Sequence, residues 1–190
     1  MSGAKTTGVY VALLRGVNVG GKHVLPMKHL LAMFVDLGCA NVRTYIQSGN
    51  VVFQARPGLA GRIPAVIAET VSDRFGFKAS VATRTAAELG EIVRANPFLR
   101  AGAHEQALHV GFLVDRPSAA QVAALDSNRG APDAFEVRGR EIYLHLPNGV
   151  ARSKLTNAYF DAKLGTTCTV RNWRTVLKLL EIATATSTGG

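Results

Sequence analysis

The sequence predicts an α+β protein built from two tandem ferredoxin-like halves, each a βαββαβ-type unit with an antiparallel sheet. Three observations lead there. Short apolar runs that read as strands alternate with stretches of helical period, in the order strand, helix, strand, strand, helix, strand. Hairpin signals stand at Ser48-Gly49 and at Arg138-Gly139-Arg140, one for each half. The pattern then starts again after Asn96-Pro97-Phe98, although the residues themselves do not repeat.

Residues 9–14 are apolar on both faces and predict a central strand. A glycine loop follows, and Pro26 suits the first turn of a helix whose apolar stripe is Leu30, Leu31, Phe34 and Leu37, closed by Gly38. Residues 42–47 alternate as a second strand, and residues 51–54 return as a third. Ile63, Val66, Ile67 and Val71 mark a second helix to about Phe75, with a fourth strand expected over 77–82. Thr85 and Glu88 have the spacing of a capping box for a further helix. The stretch 96–106 reads as a linker, which sets the halves at residues 1–97 and 105–183.

In the second half, residues 108–114 predict a strand and Ser118 caps a helix carrying Val122 and Leu125. Residues 135–137 and 141–146 form the hairpin. Ser153 or Thr156 opens a helix that ends at Gly165, and a final helix is expected from about Arg171 to Ile182 on the stripe Trp173, Val176, Leu177 and Leu180. Residues 184–190 read as a flexible tail.

With 190 residues, 47% of them apolar, the chain can bury a sizeable core. The net charge of +9 points to an anionic partner. The excess is concentrated: residues 1–68 hold seven Lys/Arg against Asp36 alone, and residues 150–178 hold six against Asp161 alone. Cys39 and Cys168 give neither a disulfide framework nor a zinc spacing and fit a reducing cytoplasm. The apolar run at 9–14 is too short for a membrane span, so no membrane partner is expected. The five histidines have no ligand spacing, so no metal or cofactor is expected, and no nucleophile motif or close acidic pair names a reaction.

Chemistry concentrates in two loops, residues 15–22 and 45–50. The first and second strands of a ferredoxin-like unit run the same way, so both loops leave the same sheet edge. Arg15, Asn18, Gly20, Gly21 and Lys22 come from one, and Tyr45, Gln47, Ser48 and Asn50 from the other. Pro26 leaves the first helix without a side-chain cap, and free N–H groups beside glycines and a lysine suit an anion. The bland alternative is a well-made loop whose amides serve their own backbone. Residues 16–22 also match G-x-x-x-x-G-K, the nucleotide-hydrolase phosphate loop. His23 stands where that loop needs Ser or Thr, Pro26 interrupts its helix, and the next strands form a hairpin, so the match is set aside. The third strand lacks the glycine-aromatic signature of an RNA-recognition sheet. A second basic group is expected from Arg152, Lys154, Arg171, Asn172 and Arg174. Arg171, Arg174 and Lys178 recur as one helical stripe, which reads as a solvated face or as a phosphate contact, and either Arg171 and Arg174 or Arg152 and Lys154 are expected to face the same groove as Arg15 and Lys22.

Residues 10–21, YVALLRGVNVGG, and 42–51, VRTYIQSGNV, together with Ser153-Lys154-Leu155 and residues 169–176, resemble the motifs of the bacterial domain-of-unknown-function family 1697. The resemblance implies a cytoplasmic bacterial protein with ferredoxin-like halves and brings no catalytic residue with it. The expected role is binding of an anionic ligand, nucleic acid or nucleotide, at the strand-end loops. The alternatives are an enzyme acting on a phosphorylated small molecule and a self-associating structural protein with no ligand site.

Overall fold

The computed structural model describes residues 7–188. The first sheet joins β1 (Gly8–Leu14), β2 (Ala40–Tyr45), β3 (Asn50–Ala55) and β4 (Val81–Thr85) in the order β2-β3-β1-β4. Every pairing in it is antiparallel. Consequently β1 and β2 run in the same direction, and their carboxyl ends share an edge. The second sheet repeats the topology with β5 (Leu108–Leu113), β6 (Ala134–Arg138), β7 (Glu141–His145) and β8 (Cys168–Asn172) in the order β6-β7-β5-β8. The two-half ferredoxin-like expectation is therefore met. The compact units divide the chain elsewhere than the 96–106 stretch, however. One runs to Gly90 and takes in the residues from Lys178 onward, and the other is Glu91–Leu177.

In the first unit, α1 (Met27–Asp36) and α3 (Ile63–Phe75) supply the apolar stripes expected of them. Leu30, Phe34, Ile63, Ile67 and Val71 pack with Ala12, Leu14, Val51 and Phe53 of the sheet in one cluster. Phe34 meets Phe53 at 5.0 Å between ring centroids; burying one such ring contributes about 2 kcal/mol. A short α2 (Pro57–Ala60) precedes α3. Gly76, at φ 73°, ends α3 in the left-handed conformation that a side chain resists. In α4 (Ala86–Arg94) the capping box is formed. Thr85 N donates to Glu88 Oε2 at 2.7 Å, and Glu88 N donates to Thr85 Oγ1 at 3.0 Å.

In the second unit, α6 (Ala119–Ala123) is opened by a capping box between Ser118 and Gln121. Thr156 caps α7 (Asn157–Leu164), and Gly165 closes it at φ 64°. Tyr159, Phe160 and Leu164 pack with Leu113, Ile142, Leu144 and Cys168.

Four expectations are corrected. The fourth strand lies at Val81–Thr85 rather than 77–82, because pairing with β1 sets Leu14 against Val81 and Tyr10 against Thr85. Part of the supposed linker is helical: α5 (Pro97–Arg100) is capped by Asn96 Oδ1, which accepts from Phe98 N and Leu99 N. Residues 168–172 form a strand, so α8 (Trp173–Thr188) starts two residues after Arg171. The tail expected over 184–190 is helical to Thr188, and Gly189 and Gly190 lie outside the described residues. It holds because Thr184, Thr186 and Ser187 return their hydroxyls to carbonyls four residues back, and Gln54 Nε2 donates to Thr186 O at 3.0 Å. Among the described residues, no helix is long and apolar enough to cross a membrane.

Candidate functional site

The two strand-end loops meet in the first unit. Leu14 N, at the end of β1, donates to Gly49 O at 2.9 Å, and Arg15 N donates to Ser80 O at 2.8 Å. Asn18 Nδ2 donates to Gln47 O at 2.7 Å. Gly49 sits so close beneath the first loop that a Cβ there would lie 2.6 Å from Val17 Cγ2. Arg15 and Lys22 thus share one edge with Gln47 and Ser48.

Residues 18–23 form a miniature hairpin, closed by Asn18 N donating to His23 O and Lys22 N to Val19 O. Gly20 and Gly21 are its two tip residues, with φ 57° and 72°; positive φ at both central positions is the requirement of a type I′ turn. Their glycines are thereby explained by the turn. Nothing within 4 Å would meet a Cβ at either, so the tip is open. Lys22 is exposed there, beside Val19 at 66% and Val24 at 62% exposure. His23 Nδ1 donates to Gly16 O at 3.1 Å while its ring stacks on Phe77 at 4.8 Å. Helix α1 begins at Met27, five residues beyond Lys22, behind a Pro26 that makes no side-chain cap bond. A nucleotide-hydrolase loop would start its helix at the lysine.

Two of the expected ligand amides are spent on the backbone. Asn18 Oδ1 accepts from Leu25 N at 2.8 Å, and its Nδ2 serves both Leu25 O and Gln47 O. Asn50 is fully buried, and its Nδ2 donates to Tyr45 O at 3.2 Å. Both are corrected from ligand contacts to loop staples. Gln47 is exposed, and Tyr45 and Ser48 are half-buried. Ile46, a β-branched residue, is held at φ 48° and is 48% exposed; that conformation costs backbone energy.

The second basic group does not form the stripe expected of it. Arg171 belongs to β8, is buried, and donates through Nη1 to Thr169 Oγ1 at 2.7 Å and Val170 O at 3.0 Å. Burial pushes its guanidinium down to about 10. It is a structural group, and its expected phosphate contact is corrected. Asn172 caps α8, its Oδ1 accepting from Thr175 N at 2.8 Å. Arg174 is exposed on the first turn of α8. Lys178 pairs with Glu181 at 2.7 Å. Arg152 and Lys154 are exposed and line a pocket of about 270 Å³ within the second unit.

A family model described as "Protein of unknown function (DUF1697)" matches residues 8–143. The chain belongs to this family. The matched stretch contains both strand-end loops of the first unit, whereas the basic motifs at residues 152–154 and 169–176 lie beyond it. The structure of a conserved bacterial protein, SP0830 from Streptococcus pneumoniae, is similar over 94% of this chain and 99% of that one, at 18% identity and a TM-score of 0.69. At that identity the likeness is one of fold. No curated protein matches the chain.

Some features of the family member's surface carry no clear mark in the sequence. Exposed Val19, Val24 and Ile46 read as strand or loop apolars, and the partnership of His23 with Phe77 spans 54 residues. Asp133, buried in the wall of the second-unit pocket, reads only as a turn residue after Pro132. Among the described residues, no group of three or more His, Cys, Asp or Glu side chains is placed to hold a metal ion.

Proposed function

We propose that this protein binds the phosphate backbone of a nucleic acid at the strand-end loops of its first unit, in a cytoplasmic setting that accords with its two unbridged cysteines. The observation that carries the reading is the 2.7 Å hydrogen bond from Asn18 to the Gln47 carbonyl, which holds the Lys22 hairpin against the Gln47-Ser48 turn. That joins cations and neutral donors on one edge. Phosphate contacts position such a ligand, and Lys22 and Arg15 supply the charge. The uncapped start of α1 adds backbone N–H groups of the right polarity. Exposed Val19, Val24 and Ile46 offer apolar contact to sugars and base faces beside the charges.

The test is fluorescence anisotropy of a short labelled oligonucleotide across a salt series, with wild-type protein and the Lys22→Ala and Arg15→Ala/Lys22→Ala variants. Each lost phosphate contact is expected to weaken binding and flatten the log–log salt slope by about one unit. No binding at low salt, or unchanged slopes in both variants, overturns the reading.

A further inference from the structure

The pocket in the second unit has the makings of a separate ligand site. One wall is the turn of residues 130–133, and the other is formed by Asn148, Arg152 and Lys154. Both walls are anchored. Arg129 Nε donates to Lys154 O at 3.1 Å, and its guanidinium lies over the Tyr159 ring at 4.1 Å. Tyr159 in turn accepts from Asp126 N at 2.8 Å through its hydroxyl. Gly130 packs so closely that a Cβ would lie 3.3 Å from Leu155 Cγ, and Leu155 belongs to the core. A cleft fixed in this way loses little conformational freedom when it is filled.

Its chemistry is polarised. Asp133 is only 8% exposed, and its Oδ1 has no hydrogen-bond partner among the described residues. A buried carboxylate oxygen without a donor is costly, and native proteins keep such groups for a reason. Arg152 and Lys154 line the same pocket, exposed, and neither forms an ion pair with Asp133 or with any other acid among the described residues. One acid and two cations that leave each other unpaired suit a molecule carrying both signs. The volume of about 270 Å³ lies just below the range of drug-sized ligand sites, which run from about 300 Å³ upward, so the occupant is small.

We propose that this pocket binds a small zwitterion, with its ammonium group on Asp133 and its phosphate or carboxylate on Arg152 and Lys154. The proposal is independent of nucleic-acid binding by the first unit and survives the failure of that reading.

The experiment is isothermal titration of the full chain with four probes: phosphoethanolamine, β-alanine, ethanolamine and inorganic phosphate. The first two carry both signs of charge and separate a phosphate-bearing from a carboxylate-bearing ligand, and the last two carry one sign each. At least one zwitterion is expected to bind about tenfold or more tightly than either single-charge probe. Asp133→Asn is expected to remove that advantage without weakening phosphate binding, since it takes away a charge of the anion's own sign from the pocket. The Arg152→Ala/Lys154→Ala double variant, altered only at exposed positions, is expected to weaken the zwitterion and phosphate alike; circular dichroism checks that both proteins stay folded. The proposal is overturned if no probe binds, if the zwitterions bind no better than their halves, or if the double variant titrates like wild type.

Discussion

Asn18 Nδ2 reaches across 29 residues of sequence to the Gln47 carbonyl at 2.7 Å, and the same side chain exchanges two hydrogen bonds with the backbone of Leu25. One amide therefore fixes the hairpin of residues 18–23, the approach to α1 and the turn between β2 and β3. Asn18 also sits at φ 55°, a region that asparagine tolerates better than most residues. Asn18→Ala should cost roughly 2–3 kcal/mol, because it removes three bonds and leaves part-buried backbone groups unpaired. Urea unfolding measures it, and a loss under about 0.5 kcal/mol would show that the staple is dispensable.

Gly49 makes the same junction depend on a missing side chain. At φ 71°, an alanine Cβ would stand 2.6 Å from Val17 Cγ2 and 2.8 Å from Leu14 Cβ, both on buried residues. Strain and overpacking add here, so Gly49→Ala is expected to destabilise the protein by about 2 kcal/mol or more. Gly20→Ala offers the contrast, since only its backbone conformation resists and a Cβ there meets nothing; its cost should be about 1 kcal/mol. Equal losses in the two variants would remove the close approach as the cause.

The two arginine-and-lysine groups are expected to separate in one comparison. Arg171 is buried and hydrogen-bonded to Thr169 and Val170, so Arg171→Ala should lower stability by roughly 2 kcal/mol while retention on heparin holds. Lys22 is exposed at a hairpin tip, so Lys22→Ala should shift heparin elution to lower salt with a stability change within about 0.5 kcal/mol. A Lys22 variant that elutes like wild type would remove the hairpin from the anion surface.

How far the sequence discloses this fold depends on whether local chemistry and tertiary pairing agree. In β1 and β5 they do: β1 is an apolar run and β5 is one broken only by His109 and Gly111, and both lie between two neighbours in their sheets. The cap at Thr85 is equally local and forms as its spacing implies, and of Ser153 and Thr156, both of which could open the later helix, Thr156 does so. Strand β8 is hidden because Arg171, a charged residue, occupies one of its buried positions, and a buried arginine looks like a helix-surface charge until its strand partner Val110 is known. The register of β4 is set by β1 and not by the residues of β4 alone. At the loops, composition marks the right segments, but amides do not declare their targets. Asn18 and Asn50 have the side chains of ligand-binding residues and are occupied by backbone. Asp133 fails to announce itself for the opposite reason, since a Pro-Asp turn is ordinarily solvated and this one is buried.

Cys39 gives a pH dependence that requires no ligand. Burial in the first-unit core raises its thiol from 9.0 to about 11. The folded chain therefore holds this proton more tightly than the unfolded chain does. The resulting stabilisation is complete below pH 9.0 and is lost as the pH rises through about 11. Cys39→Ala removes the titration and also deletes some packing, and the packing loss is the same at every pH. The stability gap between wild type and Cys39→Ala should accordingly be widest near neutral pH and narrow steadily across that alkaline window. Denaturant titrations at a series of pH values measure the gap directly, and other groups that ionise in the window cancel in the difference. A gap that stays constant from pH 8 to about 11 would mean that the Cys39 thiol ionises as freely in the folded protein as in the unfolded chain.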